Sequence, residues 1–231
     1  PLTPRPPVPC RPASSIFEGR SALQPSYALA IHTASPELGL AIDNFVGDRR
    51  NRAWNLGRDV SNYLHQYLAE FLQPQTWADM AFIAVAIGPG GFTGTRLGVV
   101  TARTLAQQLS IPLFGISTLA AIAQTQRSSV TSEAIAVQMQ AQRGEVFGAI
   151  YQPLATGLQV LRADTVMPIE QWQTTLQQWP TPYILIEANP GLGDTTPALL
   201  ELALADWNQG QRPAWQEVLP FYGQYPVVQP A

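Results

Sequence analysis

The order of predicted secondary-structure elements limits the fold most strongly, because the same order occurs twice along the chain. In the first half, three apolar runs of strand length are followed by an amphipathic helix, a buried strand and a second helix. These elements are strands at 27–35, 38–44 and 50–56, a helix at 58–72, a strand at 82–88, a helix at 94–109 and a strand at 112–117.

The second half repeats three strands, a helix, a strand and a helix. The strands lie at 133–140, 144–152, 158–166 and 183–188, and the helices lie around 168–179 and at 196–207. The order favours an α/β fold with a mixed sheet and helices in each of two lobes. We expect a first lobe at 27–118, a second lobe at 119–231, and a tail at 1–26.

The composition indicates a folded protein with an apolar partner surface. The chain has 231 residues, of which 46% are hydrophobic and 13% charged, and so low a charge leaves part of the surface apolar. The net charge is −3, and all 13 basic residues are arginine. An acidic chain without lysine neutralises few phosphates, so we expect it to meet nucleic acid only through a partner.

The N-terminal tail differs in composition from the rest. Residues 1–26 hold seven of the 21 prolines, which predicts an extended, mobile segment, with an organelle address as the lesser alternative. Cys10 is the single cysteine, so no internal disulfide can form and a reducing compartment is indicated. No apolar run reaches the ~18 residues of a membrane span, and we expect a cytoplasmic protein without a membrane contact.

The glycine-rich stretch 86–109, AIGPGGFTGTRLGVVTARTLAQQL, joins a buried strand to a helix. We expect a tight turn, with Thr93 or Thr95 capping the helix and a weak anion site at Gly90, Gly91 and Thr93 as the alternative. A P-loop needs a lysine that this chain lacks, and the glycine spacing does not match the dinucleotide fingerprint.

Two helices carry the residues that we assign to a partner interface. Small residues four apart on helix 94–109 allow another helix to approach closely, and helix 58–72 presents a broad apolar face. The packing partner is either another chain or the protein's own helix. The assigned residues are Val60, Tyr63, Leu64, Tyr67, Gly94, Gly98 and Ala102.

The glycine-rich segment resembles a known family. GPGGFTGTRLGVVTARTLA at 88–106 is similar to the GPGSFTGLRIGVATAKGLA signature of bacterial TsaB (YeaZ) proteins. The likeness includes AIHTASPELGLAI at 30–42, IPLFGISTLAAIA at 111–123 and QRGEVFGAIY at 142–151. It spans roughly 27–151, with LPFYGQYP near the C-terminus as a weaker match.

The resemblance implies an actin-like, Hsp70-like (RNase H-like) fold of two lobes. It also implies a non-catalytic dimerisation or scaffold subunit in the synthesis of threonylcarbamoyladenosine beside the tRNA anticodon. The implied partners are the homologous transferase TsaD and the ATPase TsaE, with tRNA reached through the complex and a homodimer as a further possibility.

The chain departs from the resemblance at charged positions. His32 and Gln140 stand where the family has aspartates that would hold a metal-bound phosphate, and His32 and His65 do not form the paired histidines of the catalytic homologue. We therefore expect no catalytic residue, no metal and no cofactor. One alternative is an ATPase-like, nucleotide-binding enzyme of the actin-like superfamily. A less favoured one is a peptidase, which the family's older name, glycoprotease, suggests.

Other candidate residues have ordinary interpretations. We expect His65 on a surface or interface, and Ser117 lacks a nucleophile elbow. Arg143 is expected in a turn between strands. A cluster of arginines is expected in a solvated turn, with an RNA or partner contact as the alternative; its members are Arg49, Arg50, Arg52 and Arg58.

Overall fold

The first group of predicted elements forms a five-stranded mixed sheet. The computed structural model describes residues 26–127 and 133–223. The strands are Tyr27–His32 (β1), Glu37–Asp43 (β2), Arg49–Asn55 (β3), Met80–Ala86 (β4) and Leu113–Ile116 (β5), in the order β3-β2-β1-β4-β5. β1, β2 and β3 form an antiparallel meander, and β4 and β5 run parallel to β1.

Helices cover both faces of this sheet. The helices Val60–Leu72 (α1) and Phe92–Leu109 (α2) pack on one face, against large side chains such as Leu29 and Ile31 of β1. The alternate residues of β1 are alanines, and Thr196–Asn208 (α5) packs on that face, where the short side chains allow a close approach.

The second group forms a four-stranded mixed sheet. Its strands are Ala134–Gln140 (β6), Glu145–Pro153 (β7), Leu158–Pro168 (β8) and Tyr183–Glu187 (β9), in the order β8-β7-β6-β9. Ile169–Gln177 (α4) buries Trp172 and Leu176 on one face, and Thr118–Gln126 (α3) packs on the other. The predicted α/β class with a mixed sheet and helices in each lobe is confirmed.

Short 3-10 turns complete the described elements. They are Gly57–Asp59, Trp77–Asp79, Gly193–Thr195 and Trp215–Glu217. In the parts of the chain that the structure describes, every helix is too short or too polar to cross a membrane.

Two helices differ from the sequence-based prediction. α3 was not predicted, and α2 begins at Phe92 rather than at residue 94. α5 packs on the first sheet, as does Val218, although both follow the second sheet in the chain. The division into lobes at 27–118 and 119–231 stays a prediction. The tail at 1–25, with Cys10, lies outside the described residues.

Candidate functional site

A cleft of about 800 Å³ lies between the two sheets, at the carboxyl ends of their parallel strands. Ligands of α/β proteins commonly bind at this edge of a sheet. Segments from both lobes and the C-terminal segment line it: 34–36 after β1, 90–92 after β4, 139–143 at the end of β6, 187–190 at the end of β9, and 221–222. Arg143 and Glu187 are the charged residues among the described ones that line it.

The glycine-rich loop forms one wall of the cleft. Gly91 donates its N–H to the carbonyl oxygen of Ala34 at 2.7 Å and is the N-cap of α2. Gly90 and Gly91 line the cleft, whereas Thr93 is exposed and is not among the lining residues. The capping prediction is wrong, because no side chain caps α2 and Thr95 lies inside the helix, donating to the Gly91 carbonyl. The anion site at Gly90 and Gly91 stays a prediction.

The small residues of α2 face the protein's own interior. The Thr33 hydroxyl donates to the Gly94 carbonyl at 2.8 Å. A Cβ atom on Gly94 would lie 2.1 Å from the Thr33 carbonyl oxygen, and one on Gly98 would lie 2.2 Å from the Thr33 hydroxyl. Ala102 is fully buried. Gly98 and Ala102 are thus buried and Gly94 is half-buried, which leaves them little area for another chain. Their assignment to a partner interface stays a prediction.

The assigned residues of α1 divide into buried and accessible ones. Val60 is 5% exposed, and Leu64 is fully buried in the core of the first sheet, so neither presents much area to another chain. Tyr67 is half-buried and stacks on Trp54, with ring centroids 5.0 Å apart. Tyr63 is 43% exposed and stacks on Tyr67. Among the assigned residues of α1, the two tyrosines present accessible area.

An exposed stripe on α2 was missed by the sequence analysis. Phe92, Arg96, Val100 and Thr104 recur every four residues and are all exposed, with Val100 at 59%. The Arg96 guanidinium lies 5.3 Å from the centre of the Phe92 ring. The four-residue spacing is visible in the sequence, but the stripe of small residues has the same spacing, so periodicity alone does not tell which stripe is exposed.

Comparisons with known proteins agree with the resemblance. The model of the family TsaD, tRNA N6-adenosine threonylcarbamoyltransferase, matches residues 60–190, more than half of the chain. The tRNA threonylcarbamoyladenosine biosynthesis protein TsaB of Bacillus subtilis is 32% identical over 166 residues, which are 68% of this chain and 69% of that protein. The chain belongs to the TsaB (YeaZ) family. The TsaB protein of Escherichia coli is 31% identical, over 62% of each chain.

Solved structures of the TsaB (YeaZ) family have the same fold. A structure of YeaZ from Pseudomonas aeruginosa has a TM-score of 0.70 at 22% identity and covers 85% of this chain and 99% of its own. A second structure, described as an uncharacterized protein with similarity to peptidase YEAZ from the same organism, has a TM-score of 0.72. It is also 22% identical and covers 86% of this chain and 100% of its own.

Two positions that the resemblance assigns to metal-bound phosphate carry neutral side chains in this TsaB-family chain. His32 is fully buried, and burial lowers its pKa from 6.5 to about 4, so the ring is neutral at pH 7. It does not line the cleft. Gln140 lines the cleft, but its amide carries no charge. Magnesium in phosphate sites is bound through carboxylates. Neither of these two positions supplies one, and among the described residues the carboxylate that lines the cleft is that of Glu187, at the end of β9.

The arginine cluster serves the first lobe itself. Arg49 pairs with Asp43 and with Glu201 of α5, and Arg52 lies over the ring of Trp54. Arg50 donates to backbone carbonyls at the end of α1, including Leu72 at 2.9 Å. The prediction of a solvated turn is therefore wrong for these three arginines, which lie on β3. Arg58 lies in the following 3-10 turn and is exposed.

Three single residues take clear positions. His65 is exposed on α1, in agreement with the prediction of a surface or interface position. Ser117 is the N-cap of α3, and its hydroxyl accepts from the N–H groups of Leu119 and Ala120. Arg143 lies in the turn between β6 and β7 with φ of 60° and lines the cleft.

Proposed function

We propose that this chain acts in tRNA threonylcarbamoyladenosine biosynthesis as a non-catalytic subunit that binds a TsaD-type transferase. Membership of the TsaB family supports the pathway, because the relatives carry that name. The match of a TsaD family model to residues 60–190 supports common ancestry with the transferase. Two homologous chains can associate through equivalent helices in a pseudo-symmetric dimer.

The observation that carries the non-catalytic role is the chemistry at the two strand ends. A neutral, buried His32 and a neutral Gln140 stand where the resemblance implies aspartates. Phosphoryl and carbamoyl transfer require charge to be stabilised as it develops on phosphate or carbonyl oxygen. These two positions supply no such charge, although Arg143 and Glu187 also line the cleft. The neutral pair supports an architectural role.

The interface that we propose is the solvent-exposed side of α1 and α2. Both helices pack on the same face of the first sheet and contact each other. Tyr63 on α1 and the stripe of Phe92, Arg96 and Val100 on α2 combine aromatic, arginine and aliphatic groups. These residue types dominate the energetics of protein interfaces. A TsaE-type ATPase and tRNA would join the resulting complex, and a homodimer would use the same surface in the free protein.

Reconstitution from purified subunits tests the proposal. The chain alone should neither transfer threonylcarbamoyl to tRNA nor hydrolyse ATP or peptide, and it should raise transfer when added to TsaD-type and TsaE-type proteins of its own organism. Turnover by the isolated chain near ~1 s⁻¹ would place it among enzymes and contradict the proposal.

A second candidate function, a nucleotide-binding ATPase, has the interlobe cleft in its favour, since about 800 Å³ is large enough for a nucleotide. An ATP titration of the isolated chain, with and without magnesium, separates the two. Magnesium-dependent binding together with hydrolysis would favour the ATPase.

A further inference from the structure

A second cavity, of about 510 Å³, lies between α5 and β8. Its volume is within the usual range for small-molecule sites. Much of its wall is apolar and comes from both lobes, including Ile116, Val160 and Leu202. Val160 is 58% exposed, so the cavity opens to solvent. This cavity is distinct from the interlobe cleft, although Phe221 contacts both.

A hydrogen-bonded cluster lies within the cavity wall. The Ser117 hydroxyl donates to Asp164 Oδ2 at 2.5 Å, because its lone pairs already accept two N–H groups of α3. The Tyr151 hydroxyl donates to Asp164 Oδ1 at 2.8 Å. The carboxylate also accepts its own backbone N–H. With about four acceptor sites, it has capacity for a further donor.

A second carboxylate, Asp206 of α5, lines the same cavity. Within 26–127 and 133–223, neither Asp164 nor Asp206 forms an ion pair, and the lining contains no arginine or histidine. Arg127 is held at the rim by the carbonyl oxygens of Leu154 and Ala155, at 3.2 and 2.8 Å. Burial raises the pKa of both aspartates, so each carboxylate is desolvated without a compensating cation.

We propose that this cavity binds a small organic cation, a primary ammonium group carried on an apolar body. The ammonium group would donate to Asp164 and lie in the field of Asp206, and the apolar body would pack on the aliphatic wall. A neutral ligand would leave both carboxylates uncompensated, and an anion would be repelled by them. The proposal is independent of the interface with TsaD, since the cavity is formed by residues away from α1 and α2.

The test uses phenethylammonium as probe, with 2-phenylethanol and phenylacetate as neutral and anionic analogues. The full chain is titrated at pH 7.5 and followed by ¹H–¹⁵N NMR spectra. We expect saturable shifts at the amides around Ser117 and Asp206, about tenfold weaker binding of 2-phenylethanol, and no binding of phenylacetate. Equal affinity for the neutral analogue, no saturable binding, or shifts confined to other regions would overturn the proposal.

Variants locate the charge that is recognised. Asp164→Asn and Asp206→Asn should each weaken phenethylammonium binding, Asp164→Asn by about tenfold. Glu170→Gln, which removes an exposed carboxylate from α4, should leave the affinity unchanged. If Asp164→Asn fails to fold, Asp206→Asn decides, and unchanged affinity in it contradicts the proposal. Binding of N-acetyl-argininamide without binding of phenethylammonium would also contradict it and indicate a partner's side chain instead.

Discussion

Thr33 is the residue on which the glycine-rich helix depends. Its side chain and backbone fill the space beside α2 that a larger residue at position 94 or 98 would occupy. The hydroxyl is satisfied by the Gly94 carbonyl. The glycines therefore hold the turn after β1 against the start of α2, which positions one wall of the cleft.

Gly94→Ala tests this contact. The new methyl group would lie 2.1 Å from a backbone oxygen, which cannot move without shifting the turn after β1. We expect a loss of about 1–3 kcal/mol in the free energy of unfolding, measured by urea titration. Gly91→Ala is the matched control, because its Cβ would meet only the Ala34 oxygen, at 3.6 Å. Equal effects of the two changes would show that close packing does not explain the glycine stripe.

His32 gives the chain a specific response to acid. Its folded pKa of about 4 lies below the unfolded value of 6.5, so the unfolded state binds more protons between these values. The contribution of His32 to the free energy of unfolding is therefore fully present above pH 6.5. It is lost as the pH falls towards 4, which lowers the free energy of unfolding by about 3 kcal/mol. Within the described residues, neither ring nitrogen has a hydrogen-bond partner to offset protonation.

His32→Leu should remove this contribution. Between pH 7 and pH 4, we expect the free energy of unfolding to fall less in the variant than in the wild type, by about 3 kcal/mol. His65→Leu, which makes the same change at an exposed histidine, is the matched control. Parallel pH profiles for the wild type and His32→Leu would mean that His32 is hydrated or paired in solution.

At the scale of elements, the C-terminal end of α1 is capped by the side chain of Arg50 from β3. The Arg50 guanidinium donates to the carbonyl oxygens of Phe71, Leu72 and Gln73, at 3.0, 2.9 and 3.0 Å. These carbonyls have no partners within the helix, and a cation at the negative end of the helix dipole is favourable. A residue of the arginine cluster thus has a structural role.

Arg50→Leu should therefore destabilise the chain by about 1–3 kcal/mol, because it leaves charge-assisted hydrogen bonds at the helix end unmade. Arg52→Leu is the control, because the Arg52 guanidinium lies over the ring of Trp54. Loss of this cation–π contact should lower the free energy of unfolding by no more than about 1 kcal/mol. Thermal melts followed by circular dichroism compare the two. A larger loss for Arg52→Leu would contradict the capping role.

Helices with one apolar face could be predicted, and a buried helix could not. α1 shows its buried residues every four positions, which is the signal that located it. α3 has the sequence TLAAIAQTQ and contacts the cores of both lobes, so most of its sides are apolar and it lacks that contrast. The small stripe of α2 was recognised, but spacing alone does not tell whether a stripe faces the chain's own interior or a partner.

At the scale of the whole molecule, the C-terminal half ties the lobes together. α5 follows the second sheet in the chain but packs on the first. Arg49 of β3 pairs with Glu201 of α5 at 3.2 Å. Farther on, the Phe221 N–H donates to the carbonyl oxygen of Ile87 at 2.7 Å, beside the glycine-rich loop. The cleft is thus bounded by segments that are distant in sequence, which is why its lining could not be predicted.

Titration calorimetry with the TsaD-type protein of the same organism tests the central claim most directly. Val100 is 59% exposed in the proposed interface, and Val46, at 71%, lies in the turn after β2, so Val100→Asp and Val46→Asp make the same change at accessible sites. Both variants should melt like the wild type. We expect Val100→Asp to weaken binding by about tenfold or more, because a carboxylate would be desolvated without a partner, and Val46→Asp to bind like the wild type. Wild-type affinity in Val100→Asp, or no binding by the wild type, would contradict the account.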